Sequence, residues 1–280
     1  METVGNTDHS KFTEHTDLRG KIAVVTGSSS GIGRAIAVEL AVAGADVLVH
    51  AGSNRAAAEQ VAALIRDRGR HSQVRLADLS DGSSVERFAE EAWLWRSGVD
   101  IWINNAGADV LTGAAAKWSF ERKFEYLFRV DVMATVQLSR SIGQRMKQQD
   151  GASGAATILN IGWDQAEHGM AGDSGEMFAT IKGAVAAFSR SLAKSLDPLV
   201  RVNCLAPGWI KTAWAESASE YWQQRACRES LLGRWGTPDD VAQVARFLVS
   251  PAAECITGQV VSVNGGSRNS ELPAAEDHGF

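Results

Sequence analysis

Tyrosine is scarce in this sequence: among 280 residues there are two, Tyr126 and Tyr221. Cysteine is nearly as rare. Cys204, Cys227 and Cys255 are widely spaced and odd in number, which excludes a metal-binding pattern and a disulfide framework. A reducing, cytoplasmic setting is therefore expected. No apolar run approaches the roughly 18 residues of a membrane span. The opening stretch "METVGNTDHSKFTEHTDLRG" has no apolar core of the signal-peptide kind. Positive charge is not in excess either. The formal net charge is −5, which counts against nucleic acid or an anionic membrane as the main partner. What remains is 45% apolar and 22% charged residues, an ordinary balance for a chain of a length that suits one α/β domain.

Apolar runs alternate with helical patterns along most of that length. "KIAVVTG", "ADVLVHA", "HSQVRLADLS", "VDIWINNAG", "AATILNIG" and "GQVVSVNGG" read as buried strands. Helix-period segments such as "GIGRAIAVELAVA" and "AAAEQVAALIRDRG" separate them. Strands joined this way form a parallel sheet covered on both faces, a doubly wound α/β fold in a single domain. Residues 1–19 read as a flexible N-terminal arm, 20–266 as the domain and 267–280 as a C-terminal tail. Within the domain, about 212–237 breaks the alternation as a helical substrate loop, a candidate lid.

"VVTGSSSGIGRAIA" places Gly27, Gly31 and Gly33 between a buried strand and a helix. Glycine lets the backbone turn tightly and approach a pyrophosphate, and the helix start offers N–H groups and a positive dipole end. Ser29, Ser30, Ile32 and Arg34 complete this cradle. At the end of the second strand, "VLVHAGSNRAAAEQV" has no acid before Glu59. A carboxylate there would hold a ribose 2′-hydroxyl and repel a 2′-phosphate. Ser53, Asn54 and Arg55 instead suit a phosphate, so NADP is expected over NAD. Arg55 reads equally well as a solvated surface arginine, and His50 as a neutral packed histidine.

The spacing of the cradle resembles the short-chain dehydrogenase/reductase family, and the resemblance extends over roughly residues 20–266 with a Rossmann-like fold. "NNAG" matches the family's fourth-strand motif and implies Asn105, Ala106 and Gly107 against the adenosine half of the cofactor. "ADLS" implies Asp78 and Leu79 at the adenine. "RVNCLAPGWIKT" implies Pro207, Gly208, Ile210 and Thr212 beside the nicotinamide. The resemblance also implies a homodimer or homotetramer, paired through the helix that carries Lys182 and shows Ala184, Val185, Ala187, Phe188 and Leu192.

Members of the family resembling this chain use a tyrosine, a lysine four residues later, a serine and an asparagine. The lysine corresponds to Lys182, implied to bind the nicotinamide ribose. The tyrosine position holds Phe178. The serine position falls on Gly162 or Trp163, and the asparagine position on Asp131. Neither Tyr126 nor Tyr221 lies in the matching segment. The loop from Trp163 to Phe178 is about two residues longer than usual. These departures count against the family's ordinary carbonyl–alcohol chemistry but leave the cofactor motifs intact.

The loop "GWDQAEHGMAGDSGEMF" offers replacements for the missing proton source. Asp164 stands one residue past the serine position, where pteridine reductases of the same family carry an aspartate that delivers a proton to a ring nitrogen. Beside Trp163 and Phe178 its pKa is expected to rise. His168 titrates near neutrality unaided. Lys182, Asp164, His168 and Asp131 are thus the candidate catalytic residues, and each loop member reads alternatively as a solvated side chain. Trp163, Phe178, Trp209 and Trp214 are expected to line the substrate cleft and favour a flat heterocyclic, pterin-like or aromatic small molecule. A filled cleft is the other reading of the same rings. The expected function is an NADP(H)-dependent oxidoreductase with a non-standard proton relay. The alternatives are an inactive cofactor-binding sensor or assembly protein, and a lyase or isomerase on the same scaffold.

Overall fold

A computed structural model describes residues 16–96, 98–149 and 156–268, with the side chains of Trp214 and Ser217 left out. Seven parallel strands lie in the order β3-β2-β1-β4-β5-β6-β7. They are β1 (Ile22–Val25), β2 (Asp46–Ala51), β3 (Ser72–Leu76), β4 (Ile101–Asn104), β5 (Ala156–Ile161), β6 (Val200–Pro207) and β7 (Val260–Val263). Every residue of β4, β5 and β6 is buried, as expected of central strands in a parallel sheet covered on both faces; β6, which carries Arg201 and Asn203, is the strand not read from the sequence.

Helix α1 (Gly31–Val42) leaves β1 and returns to β2; α2 (Arg55–Arg66) and α3 (Gly82–Leu94) follow β2 and β3. The chain order reverses between β1 and β4, and parallel sheets of this kind bind ligands in the crevice outside the carboxyl ends at that point. On the far side, α4 (Phe120–Leu127) passes through a π-helical turn (Phe128–Met133) into α5 (Ala134–Gln148). The turn widens the helix at Asp131 and aims its carboxylate inward. Such single wide turns sit frequently at functional sites. A short α6 (Gln165–His168) and a long α7 (Asp173–Leu196) follow β5. Two lid helices, α8 (Ala213–Ser217) and α9 (Glu220–Glu229), precede α10 (Pro238–Val249). Thr237 caps α10, accepting from Asp240 N–H while the Asp240 carboxylate accepts from Thr237 N–H.

Two boundaries differ from the sequence expectation. Thr16 and Leu18, placed in the flexible arm by composition, are buried. Leu18 N–H donates to Ala43 O at 2.7 Å and Arg246 holds Thr16, contacts made across the fold that composition does not record. At the other end Ser267 bridges to Ser230, and Arg268 N–H donates to Glu229 O at 2.8 Å. The remainder of both expected tails, 1–15 and 269–280, lies outside the described residues. Among the described residues no helix is long and apolar enough to cross a membrane.

Candidate active site

The crevice at the switch point is a cleft of about 550 Å³. Gly27, Ser29, Ser30, Gly31, Ile32, Gly33, Asp78, Leu79, Asn105, Ala106, Gly107 and Thr212 all border it. Gly27 takes φ +62°, and a Cβ there would lie 2.7 Å from Ala106 Cα. A Cβ on Gly33 would overlap Gly27 O and Asn105 Nδ2. Only glycine allows this approach of helix start to strand end. Thr26 Oγ1 accepts from the N–H groups of Asn105 and Ala106 at 2.9 and 3.0 Å, and Asn105 Nδ2 donates back to Thr26 O and Gly27 O. This clasp fixes the β1 turn against the β4 turn. Ser30 gives α1 no side-chain cap, so the helix start is left for an anionic group.

His50 closes the floor of the cleft. Gly27 N–H donates to its Nδ1 at 3.0 Å, and its Nε2 lies 3.1 Å from Ala77 O. That geometry assigns the proton to Nε2 and a neutral ring. Burial pushes its pKa down to about 4, against the Ala77 carbonyl, which favours the charged form. The packed, neutral reading of His50 is the one the structure adopts.

The 2′-phosphate candidates stand apart from the cleft wall. Arg34, Ser53, Asn54 and Arg55 are exposed and lie outside its lining. Asn54 Oδ1 accepts from Ala57 N–H at 3.0 Å as the cap of α2. Arg55 is 3.9 Å from Glu59, which also meets Arg66. Their side chains reach the cleft only by rotating from these positions. Gly52, beside them, does border it.

At the other end, Lys182 Nζ lies 2.9 Å from Asp131 Oδ2 and 3.4 Å from Ile161 O. The pair is almost dry, with side chains 14% and 2% exposed. Asp131 Oδ1 accepts from Ala108 N–H at 2.8 Å, so the carboxylate is fixed from both sides. Phe178 stands one helical turn before Lys182 on α7. Its ring meets Trp163 edge to face at 6.3 Å and 74°. Gly162, the other residue at the expected serine position, has no room for a side chain: a Cβ there would lie 2.8 Å from Cys204 Sγ.

Asp164 is buried and begins α6. Its Oδ1 accepts from Gln165 N–H at 2.8 Å and its Oδ2 from Asn264 Nδ2 at 3.1 Å. Burial raises its pKa above the usual carboxylate range, while the bonds from Asn264 and Gln165 act in the opposite sense. His168 is exposed at the end of α6 and lowers the Asp164 pKa through space. The carboxyl oxygen is 3.0 Å from where a Cβ on Gly208 would sit, which places Asp164 at the end of β6. The structure thus divides the candidate catalytic residues into two groups, Lys182 with Asp131, and Asp164 with His168 nearby.

Trp209, expected to line the substrate cleft, is anchored in the lid. Its Nε1–H donates to buried Glu229 Oε2 at 2.7 Å, and its ring packs on Trp222 and Trp235 at 5.6 and 5.9 Å. Arg225 completes the cluster, 2.6 Å from Glu229 and 5.1 Å above Trp222. The lid is tied to the turn after β6 by an indole whose partner lies at the end of α9, twenty residues on. The Trp214 side chain lies outside the described residues. Pro207, Gly208 and Ile210 occupy the end of β6 and the turn after it, outside the lining of the cleft.

Sequence reasoning missed a buried polar network behind Lys182. Trp102 Nε1–H donates to Asn104 Oδ1, Asn104 Nδ2 to Asn160 Oδ1 and Ser139 Oγ, and Asn160 Nδ2 to Ser189 Oγ, each at 2.8 Å. It locks β4, β5, α5 and α7 together and so sets where Lys182 points. The signal available was a polar residue in each of two otherwise apolar strands. Asn264, which holds Asp164, was also missed. Among the described residues no cluster of His, Cys, Asp or Glu could hold a metal.

Comparisons with known proteins agree with this geometry. The family described as Enoyl-(Acyl carrier protein) reductase matches residues 27–268. A 3-oxoacyl-(acyl-carrier-protein) reductase of Aquifex aeolicus is 36% identical over 259 residues, covering 89% of this chain and 98% of that protein. A 7α-hydroxysteroid dehydrogenase complexed with NADH and 7-oxo glycochenodeoxycholic acid superposes with a TM-score of 0.82 at 29% identity, over 92% of this chain and 98% of that one. A gluconate 5-dehydrogenase homologue from Beutenbergia cavernae with bound NADP gives 0.79 at 35% identity, over 90% and 98%.

Proposed function

The chain belongs to the short-chain dehydrogenase/reductase family, and from that premise we propose that it is an NADP(H)-dependent oxidoreductase whose proton relay does not use a phenol. The observation that carries the reading is the intact cradle, where Gly27 and Gly33 let the β1 turn and the helix start pack against β4 more closely than any side chain would allow, beside a lysine whose neighbour one turn back is Phe178. The residues fit a dinucleotide. Ser29, Ser30 and the first N–H groups of α1 hold the pyrophosphate. Asp78 and Leu79 border the adenine, with Asn105, Ala106 and Gly107 along the adenosine half. Pro207, Gly208, Ile210 and Thr212 flank the nicotinamide. When bound, the cofactor supplies or accepts a hydride. Lys182, kept in place by Asp131, binds ribose hydroxyls through the donors that the ion pair leaves over. Arg34, in the first turn of α1, and Ser53, Asn54 and Arg55, at the start of α2, favour a 2′-phosphate over a bare hydroxyl.

Phe178 and Trp163 cannot exchange a proton. That task falls to Asp164, whose raised pKa suits an acid, with exposed His168 as its route to solvent. The edge-to-face pair of Trp163 and Phe178 favours a flat substrate, heterocyclic or aromatic. The bound NADH and NADP of the two solved relatives support a nicotinamide cofactor. A homodimer or homotetramer is also part of the proposal. Val185 and Leu192 are buried in the chain's own core, so the pairing face of α7 narrows to exposed Ala187 and half-buried Ala184 and Phe188.

The test is substrate-dependent turnover of NADPH by the wild-type chain and by Lys182→Ala, Asp164→Asn and His168→Ala. Loss of turnover in Lys182→Ala and in either of the other two supports the assignment. Turnover indifferent to all three would remove it.

A further inference from the structure

Two tyrosines stand in the sequence, and neither has a part in the function proposed above. Tyr221 belongs to the lid helix α9, where its ring meets Trp222 edge to face at 5.2 Å. Tyr126 is placed otherwise. It lies in the last turn of α4 and borders the cleft at the switch point. Lys182 and Phe178 are outside the lining of that cleft, so this phenol does not fill the place that Phe178 leaves. Its neighbours show which end of the cleft it faces. Val130, four positions on, borders the same cleft, as do Ala77, Asp78 and Leu79 just after β3. Val130, Ala77 and Leu79 form part of one apolar cluster, and Tyr126 packs against it. Asp78 and Leu79 are the residues assigned to the adenine, so Tyr126 stands at the adenine end. Its ring is half-buried and is held from outside the cleft. Trp118 meets it edge to face at 5.5 Å and 85°, and the Arg122 guanidinium covers Trp118 at 4.1 Å.

Resting on the oxidoreductase reading above, we infer that Tyr126 is a cofactor-binding residue whose ring is the aromatic wall on which the adenine stacks. The glycine cradle and the Asp78 carboxylate offer no such surface. Stacking of a base on an aromatic side chain strengthens binding by about tenfold or more. A ring already fixed by Trp118 has little freedom left to lose when a base settles on it, so most of the contact appears as affinity. The adenine half then carries affinity of its own. An adenine nucleotide that lacks the nicotinamide binds in the cleft and competes with the dinucleotide. The hydroxyl has no part in the contact, because stacking uses the face of the ring.

The experiment uses the full chain, deuterated except at its tyrosines, with NADP⁺ bound. A nuclear Overhauser effect between tyrosine ring protons and adenine H2 or H8 is expected. Its loss in Tyr126→Phe assigns it, since Tyr221 is then the one protonated ring. Calorimetric titration with NADP⁺ and with adenosine 2′,5′-bisphosphate reads the contribution of the adenine half. Tyr126→Leu is expected to weaken both ligands by the same factor of about ten, a step of ~1.4 kcal/mol. Tyr126→Phe is expected to bind both as the wild type does. The Overhauser contact is read on the wild-type chain, which keeps the inference exposed if Tyr126→Leu fails to fold. NADP⁺ bound without a contact to adenine, a contact to nicotinamide protons instead, or bisphosphate binding indifferent to Tyr126→Leu overturns the inference and leaves the oxidoreductase reading standing. Failure of the wild-type chain to bind either NADPH or NADP⁺ overturns both.

Discussion

Removing the Asp131 carboxylate has a calculable cost. Asp131→Ala strands Lys182, whose side chain is 14% exposed, and leaves Ala108 N–H without its 2.8 Å acceptor. Breaking a buried ion pair from one side typically costs ~3–5 kcal/mol, because the remaining charge stays buried. With a urea dependence of about 1–3 kcal/mol per molar, the unfolding midpoint falls by roughly 1 M or more. Asp131→Asn behaves differently. Its single amide oxygen keeps the Ala108 N–H or faces the ammonium, not both, so it spares one of the two contacts and costs about 1 kcal/mol less than Asp131→Ala. The assay is urea unfolding followed by tryptophan fluorescence, for which the chain carries nine reporters. A double-mutant cycle with Lys182→Met isolates the pair, and the Asp131→Ala cost falls by about 0.5–3 kcal/mol in that background. Equal losses for Asp131→Ala and Asp131→Asn, or a loss within about 0.5 kcal/mol of wild type for Asp131→Ala, would refute the assignment of Asp131 as the buried counter-charge of Lys182.

Three further outcomes follow from the geometry. Gly33→Ala places a methyl group on Gly27 O and Asn105 Nδ2, so NADPH binding is lost in fluorescence titration before the fold itself unfolds. Gly52 borders the cleft and has open space where a side chain would go. Gly52→Asp installs the missing carboxylate at the end of β2, and NADPH affinity falls by roughly tenfold or more relative to NADH. His50 has a folded pKa near 4 against 6.5 unfolded. The unfolded chain binds the proton first as pH falls, so the stability His50 contributes is present above 6.5 and is lost on the way down to 4. That is about 2 kcal/mol between pH 7 and pH 5, and urea midpoints at the two pH values for wild type and His50→Gln read it directly, with the variant showing the smaller acid loss.

Local patterns carried much of this molecule. The βαβ alternation, the glycines at 27, 31 and 33 and the placement of Phe178 one turn before Lys182 are all statements about near neighbours in the chain. They were legible because a helix start, a tight turn or an i, i+4 face is specified within a few residues. The site's electrostatics were not legible in that way. Asp131 was recognised at its position, but its grip on Lys182 depends on a π-helical turn that no period announces. Asn264 holds Asp164 from one hundred positions away. The Asn104–Asn160–Ser189 chain crosses two strands and a helix. Trp209 stands in a segment whose resemblance implies the nicotinamide, and nothing nearby in the chain announces that Glu229 accepts its N–H. Partners at long sequence separation leave only isolated polar residues in apolar runs as their trace.

The most direct test of the account is a titration of the purified protein with NADPH and with NADH, following energy transfer from tryptophan to the reduced nicotinamide. The account predicts saturable NADPH binding, NADH binding weaker by about tenfold or more, and loss of both in Gly33→Ala. Absence of binding to either cofactor by the wild-type chain would contradict it, and would mean that the cleft between β1 and β4 does not serve as a dinucleotide site.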